Sequence, residues 1–117
     1  MTTPRLAQGV MTIALNGQDL DLLATPGAAK TICRAFGGLT EAYARVDRYD
    51  FEAVVTVINA ATNRTGAAAE ATETAVFEAG IVTVAALVIQ YLSFLSAGGK
   101  PPQAAPAADG AAAGKAD

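Results

Sequence analysis

The chain has 117 residues, 52% of them hydrophobic, with 6% aromatic and no tryptophan, so a single small domain must build its core from Ile, Val, Leu and four Phe. Eleven acidic residues against eight basic ones leave a formal charge of −3, which argues against the concentrated basic face of a nucleic-acid binder. The absence of His and the presence of a single Cys exclude His-based triads, an internal disulfide and a zinc site.

The first ordered elements expected are two strands. Val10–Leu15 and Gln18–Leu23 alternate around Asn16-Gly17, and both turn residues tolerate positive φ, so a type I′ hairpin is predicted. A two-residue turn fixes the register: Ile13 faces Leu20 and Met11 faces Leu22, while Thr12 and Ala14 share the other face with Asp19 and Asp21. A lone hairpin is not stable in water, so helices must cover its apolar face. Thr25 caps a first helix, Pro26 suits its first position, Ala29, Ile32, Cys33 and Phe36 repeat at helical spacing, and Gly37 ends it. Cys33 in this stripe reads as a buried small hydrophobe. Leu39, Ala42, Tyr43 and Val46 mark a short second helix. Asp50 caps a third, with Phe51, Val54, Val55, Ile58 and Ala61 on its apolar face.

Thr62–Gly66 reads as a loop, and residues 67–79 as an alanine-rich fourth helix ending near Gly80. Ile81–Leu95 is rich in β-branched residues, but its length decides for helix over strand. It falls short of the about 20 apolar residues a membrane span needs, so it reads as a core helix, with no membrane role. Ile81, Val84, Val88, Tyr91, Leu92 and Leu95 share one side, and Thr83, Ala86, Gln90, Ser93 and Ala97 form a small, weakly polar stripe. Val82, Leu87, Ile89 and Phe94 lie elsewhere on the circumference and are the candidates for an uncovered, partner-binding surface. From Gly98 onward Ala, Gly and Pro make up 15 of 20 residues without one large apolar side chain, the composition of a disordered tail.

The expected architecture is α+β and mostly helical, an N-terminal β-hairpin followed by about five short helices. Residues 1–8 are expected to be a mobile arm, 9–97 the single domain and 98–117 the tail. The structural core is expected to contain Ile13, Leu20, Leu22, Ile32, Phe36, Phe51, Ile58 and Val88. No basic region followed by an apolar stretch opens the chain, so no signal peptide is expected and the location read is cytoplasmic.

No constellation for catalysis, cofactor or metal emerges. Asp19 and Asp21 come closest, about 7 Å apart on one strand face, but without a third polar partner they read as a solvated face that discourages edge pairing. Gly98-Gly99-Lys100 lacks the upstream glycine of a phosphate loop, and Pro101 stands where Ser or Thr is needed. Lys30, Arg34, Arg45 and Arg48 are interleaved with Glu41, Asp47 and Asp50 and read as a solvated helix surface.

The hairpin, then Thr25-Pro-Gly-Ala-Ala-Lys30, then Arg34-Ala-Phe-Gly-Gly-Leu39, resembles the small tail proteins of alphaproteobacterial gene transfer agents and related siphophage-like prophages, a family described as tail assembly chaperones. Asp50-Phe-Glu-Ala-Val-Val-Thr-Val-Ile58 and Leu95-Ser-Ala-Gly-Gly-Lys-Pro-Pro102 are similar to it as well, so the resemblance spans roughly residues 8 to 102. It implies a non-enzymatic chaperone without cofactors that binds the tape-measure protein during tail morphogenesis. The major tail protein and a second copy of the chain are further candidate partners. Two other readings stand beside it. One is a structural tail subunit, tube or terminator, retained in the particle. The other is a nucleic-acid-binding regulator, which the acidic balance disfavours.

Overall fold

A computed structural model describes residues 4–100; most of the expected tail, residues 101–117, and residues 1–3 lie outside the described part. Three strands come first, β1 (Arg5–Ala7), β2 (Val10–Leu15) and β3 (Gln18–Leu23). They form an antiparallel sheet in the order β1-β2-β3. Five helices follow: α1 (Pro26–Phe36), α2 (Leu39–Asp47), α3 (Phe51–Thr62), α4 (Gly66–Ala79) and α5 (Ile81–Ser96). This is the α+β, mostly helical architecture read from the sequence.

The hairpin has the predicted register, with Ile13 opposite Leu20 and Met11 opposite Leu22. Asn16 (φ 55°) and Gly17 (φ 80°) both take the left-handed conformation that a type I′ turn demands. Met11, Ile13, Leu15 and Leu22 are buried beneath the helices. On the outer face, Thr12 Oγ1 donates to Asp21 Oδ1 at 2.6 Å and Arg5 Nη2 meets Asp19 Oδ2 at 3.1 Å. Each aspartate thus has a cross-strand partner, the arrangement of a solvated sheet face.

Arg5 belongs to a strand that the sequence reading missed. Residues 1–8 were expected to be a mobile arm, yet Arg5–Ala7 pairs with Val10–Thr12 through the short Gln8-Gly9 connection. A strand of three exposed residues is too short for alternation to reveal.

Side-chain caps start two of the five helices, α1 and α3. Thr25 Oγ1 accepts from the Ala28 amide at 3.1 Å, with Pro26 at the first helical position. Asp50 Oδ1 accepts from the Ala53 amide at 3.2 Å. The other Asp50 oxygen receives Arg45 Nε at 2.9 Å and Nη2 at 2.8 Å, so one carboxylate both starts α3 and ties it to the end of α2. The Arg45 hydrogen bond, followed by the Ala53 amide, holds the Asp50 carboxyl below the usual carboxylate range against an opposing effect of burial. A folded-state pKa below the unfolded one contributes stability above the unfolded value, and that stability is lost as pH falls through the folded value. Urea midpoints should therefore drop as pH is lowered below about 4, and Asp50→Asn should remove part of that acid slope. An unchanged slope would show that the pair contributes nothing.

Helix α3 is the centre of the fold. Ala53, Val54, Val55, Val57, Ile58 and Ala61 are all buried, and α3 touches β3 and every other helix. Of the expected core residues, Ile13, Leu22, Ile32, Ile58 and Val88 are buried, whereas Leu20, Phe36 and Phe51 are only partly buried at the core's edge. Phe36 lies beneath the Arg45 guanidinium, 5.4 Å from the ring centroid. The buried stripe of α1 runs through Ala28 and Ile32, leaving Ala29, Cys33 and Phe36 at its margin. Cys33 is therefore half-buried rather than enclosed.

The domain also extends past the expected boundary at residue 97. The Gly98 amide donates to the Leu95 carbonyl (3.0 Å) and the Gly99 amide to that of Phe94 (2.9 Å), the paired bonds of a Schellman helix end. Gly99 then accepts from the Gly9 amide at 2.7 Å, and Gly9 accepts from Ala24 at 2.9 Å. The end of α5 is thereby fastened to the β1–β2 connection at Gly9, which is itself bonded to Ala24 just past β3.

Candidate interaction surface

Helix α5 divides into two halves. Val84, Ala85, Leu87, Val88, Tyr91, Leu92, Phe94 and Leu95 are buried. At 100° per residue they cover about half the circumference. Tyr91 is fully enclosed, and its hydroxyl donates to the Leu23 carbonyl at 2.6 Å, tying the helix to the end of β3. Burial pushes its phenol pKa up.

Two of the four candidate partner residues are therefore core. Leu87 is 1% exposed and Phe94 5% exposed. The sequence places them on an uncovered surface because α5 is apolar around more of its circumference than four short helices are expected to cover. In the fold α2, α3, α4 and the sheet all reach α5, and the covered arc widens to include both. Val82 remains 59% exposed and Ile89 is half-buried.

The outward half of α5 consists of Val82, Thr83, Ala86, Gln90, Ser93 and Ala97, with Ile89 at its edge. The stripe of small residues is thus the solvent face, and no charge occurs from Gly80 to Gly99. Tyr43 of α2 donates to Ser93 Oγ at 2.9 Å at the margin of this face. Two open grooves flank it and share Ile89. One, of about 370 Å³, runs from Ile89 and Phe94 to Leu6 of β1. The other, of about 300 Å³, runs from Ile89 through Ala86 and Val82 to Tyr49. Together they make a largely apolar band, with Lys100 lining the first groove and Asp47 the second.

Leu6 and Tyr49, at its two ends, were missed in the sequence. Leu6 fell within the expected mobile arm. Tyr49 is 53% exposed and has φ 61°. It occupies the left-handed position that ends α2, where its amide donates to Val46 (2.9 Å) and the following Asp50 amide to Arg45 (3.1 Å). Glycine is the usual occupant of such a position, and a side chain there costs about 1–2 kcal/mol. A bulky aromatic held in a strained conformation and projecting into solvent motivates a functional assignment. Tyr49→Gly should leave the melting temperature unchanged or raise it by the equivalent of up to about 1 kcal/mol, because relief of strain outweighs the added freedom of the unfolded chain. A lower melting temperature would show that Tyr49 is retained for packing.

Among the described residues no cluster of His, Cys, Asp and Glu is arranged to hold a metal ion. No single helix there is long and apolar enough to cross a membrane; α4 and α5 reach that length and apolarity only jointly, across a 117° bend. No protein-family model, curated protein or solved structure matches the chain.

Proposed function

We propose that this protein is a non-enzymatic tail assembly chaperone of a phage-like particle of the gene transfer agent type, and that it holds the tape-measure protein through the outward half of α5. The observation that carries the reading is the exposed, largely apolar band from Tyr49 through Val82 and Ile89 to Leu6, whose only charged lining residues are Asp47 and Lys100. A tape-measure protein is a long helical chain whose apolar stripes need shielding until tube subunits assemble around it. A helix lying along α5 would contact the small residues Ala86, Ser93 and Ala97 closely and bury Val82 and Ile89 at the sides. Each large side chain so buried contributes about 1.5–3 kcal/mol before the losses of association. The family resemblance of residues 8 to 102 supplies the partner's identity.

Co-expression with a cognate tape-measure protein tests the reading. A complex should co-purify, and mass spectrometry of finished particles should find the chain absent. A chain present in particles at the stoichiometry of a ring would instead establish a structural tail subunit, and failure to form any complex would overturn the chaperone role.

A further inference from the structure

The band along α5 carries opposite charges at its two ends. Asp47, exposed at the end of α2, lines the groove beside Tyr49 and Val82, and Lys100, exposed just past α5, lines the groove beside Leu6. Helix α5, 16 residues and about 24 Å long, runs between them. Neither charge belongs to an ion pair among the described residues; those pairs join Arg5 to Asp19 and Arg45 to Asp50. Arg5 and Arg48 lie near the two ends but line neither groove.

The face between these ends is matched to itself in reverse. About a centre between Ile89 and Gln90, Val82 corresponds to Ala97, Thr83 to Ser96 and Ala86 to Ser93. Apolar thus answers apolar, hydroxyl answers hydroxyl and small answers small. Ile89, the residue that both grooves share, stands at that centre. Ala85 lines one groove and Phe94 the other; at 100° per residue they point to opposite flanks of the helix. A second copy laid antiparallel and crossed over Ile89 therefore brings to each groove the half of its own α5 that carries the complementary charge. A parallel copy would set Asp47 near Asp47 and Lys100 near Lys100, which repel. The band contains its own complement in charge and in side-chain order, the property of a two-fold interface, and this singles out a second copy of the chain as its occupant.

We propose that two copies of this chain form a two-fold dimer through antiparallel, crossed α5 helices, with Asp47 of each copy paired to Lys100 of the other. The dimer covers Val82, Ile89, Tyr49 and Leu6. Its existence does not depend on the chaperone reading; that it keeps the face covered until the tape-measure protein displaces the second copy does rest on that reading.

Sedimentation equilibrium of the full chain tests the dimer. A reversible monomer–dimer equilibrium is expected, with a dissociation constant between about 10 μM and 1 mM, the range of a small interface. Asp47→Lys and Lys100→Asp each turn both ion pairs into repulsions, and each should weaken dimerisation about tenfold or more while leaving the melting curve unchanged. An equimolar mixture of these two variants restores both pairs in a heterodimer and should associate as tightly as the unmodified chain. A chain carrying both substitutions should do the same. A chain that stays monomeric at about 1 mM would overturn the proposal. So would a dimer that the single reversals leave unaltered, or a mixture that associates no better than either variant alone. A monomer whose Val82 and Ile89 amide NMR signals shift on truncation after Lys100 would overturn it in favour of the chain's own last residues. The result is separable from the chaperone reading. A monomer that binds the tape-measure protein overturns the dimer alone, and a charge-dependent dimer that never binds it supports the dimer and overturns the chaperone role.

Discussion

Replacing Gly99 with alanine is expected to lower the stability of the domain by about 2–4 kcal/mol. Gly99 has φ 72°, and a Cβ there would lie 2.9 Å from the Ala24 carbonyl oxygen, 3.1 Å from Ala24 Cβ and 3.3 Å from Gly9 Cα. Two of those three contacts are backbone atoms, held by the Gly9–Gly99 and Ala24–Gly9 hydrogen bonds, so neither can yield without opening the sheet. The strained conformation and the clash therefore add. Gly98 provides the control. It has a similar φ of 80° but open space around its Cα, so Gly98→Ala should cost only the conformational part, about 1–2 kcal/mol. For a domain of this size each kcal/mol shifts Tm by roughly 4–8 °C, and thermal unfolding resolves the two variants. The same geometry distinguishes two truncations. A chain ending at Ala97 loses the bonds to Leu95, Phe94 and Gly9 and should melt well below one ending at Lys100. Equal melting of the two would show that the glycine pair does not anchor the helix.

The second large effect falls on Phe94. With 5% of its surface exposed, Phe94→Ala should destabilise by about 3–5 kcal/mol, and Leu87→Ala by about 2–5 kcal/mol. Val82→Gln, on the opposite side of the same helix, should change stability by no more than about 0.5 kcal/mol. Chemical denaturation of the three variants maps the two halves of α5 directly. A mild Phe94→Ala, or a severe Val82→Gln, would mean that the helix is rotated relative to this fold.

The contrast between these residues shows what the sequence could disclose. Asn16-Gly17, Thr25-Pro26 and Asp50 act within four residues of themselves, through turn geometry and capping, and were legible. The hairpin register followed from the turn alone. The division of α5 was not legible, because whether Leu87 and Phe94 are covered depends on where α3 and the sheet stand. Nothing in the run Ala53 to Ile58 marks it as the centre rather than one face among several. Gly98 and Gly99 were assigned to the tail because composition registers side chains, whereas these two residues work through backbone amides and the space a missing Cβ leaves. Tyr49 escaped notice because an aromatic after a helix end is ordinary until its φ is known. The apolar band was thus half foreseen, in Val82 and Ile89, and completed by Tyr49 and Leu6 only in the fold.

The most direct test of the proposed partner surface is the affinity of the doubly substituted chain, Val82→Gln with Tyr49→Gly, for the tape-measure protein, measured by calorimetry alongside its melting curve. Both residues are more than half exposed, so the variant should fold with undiminished stability. The α5 account predicts that it binds at least tenfold more weakly, the equivalent of about 1.4 kcal/mol withheld from the interface. A stable variant that binds as tightly as the unmodified chain would contradict it.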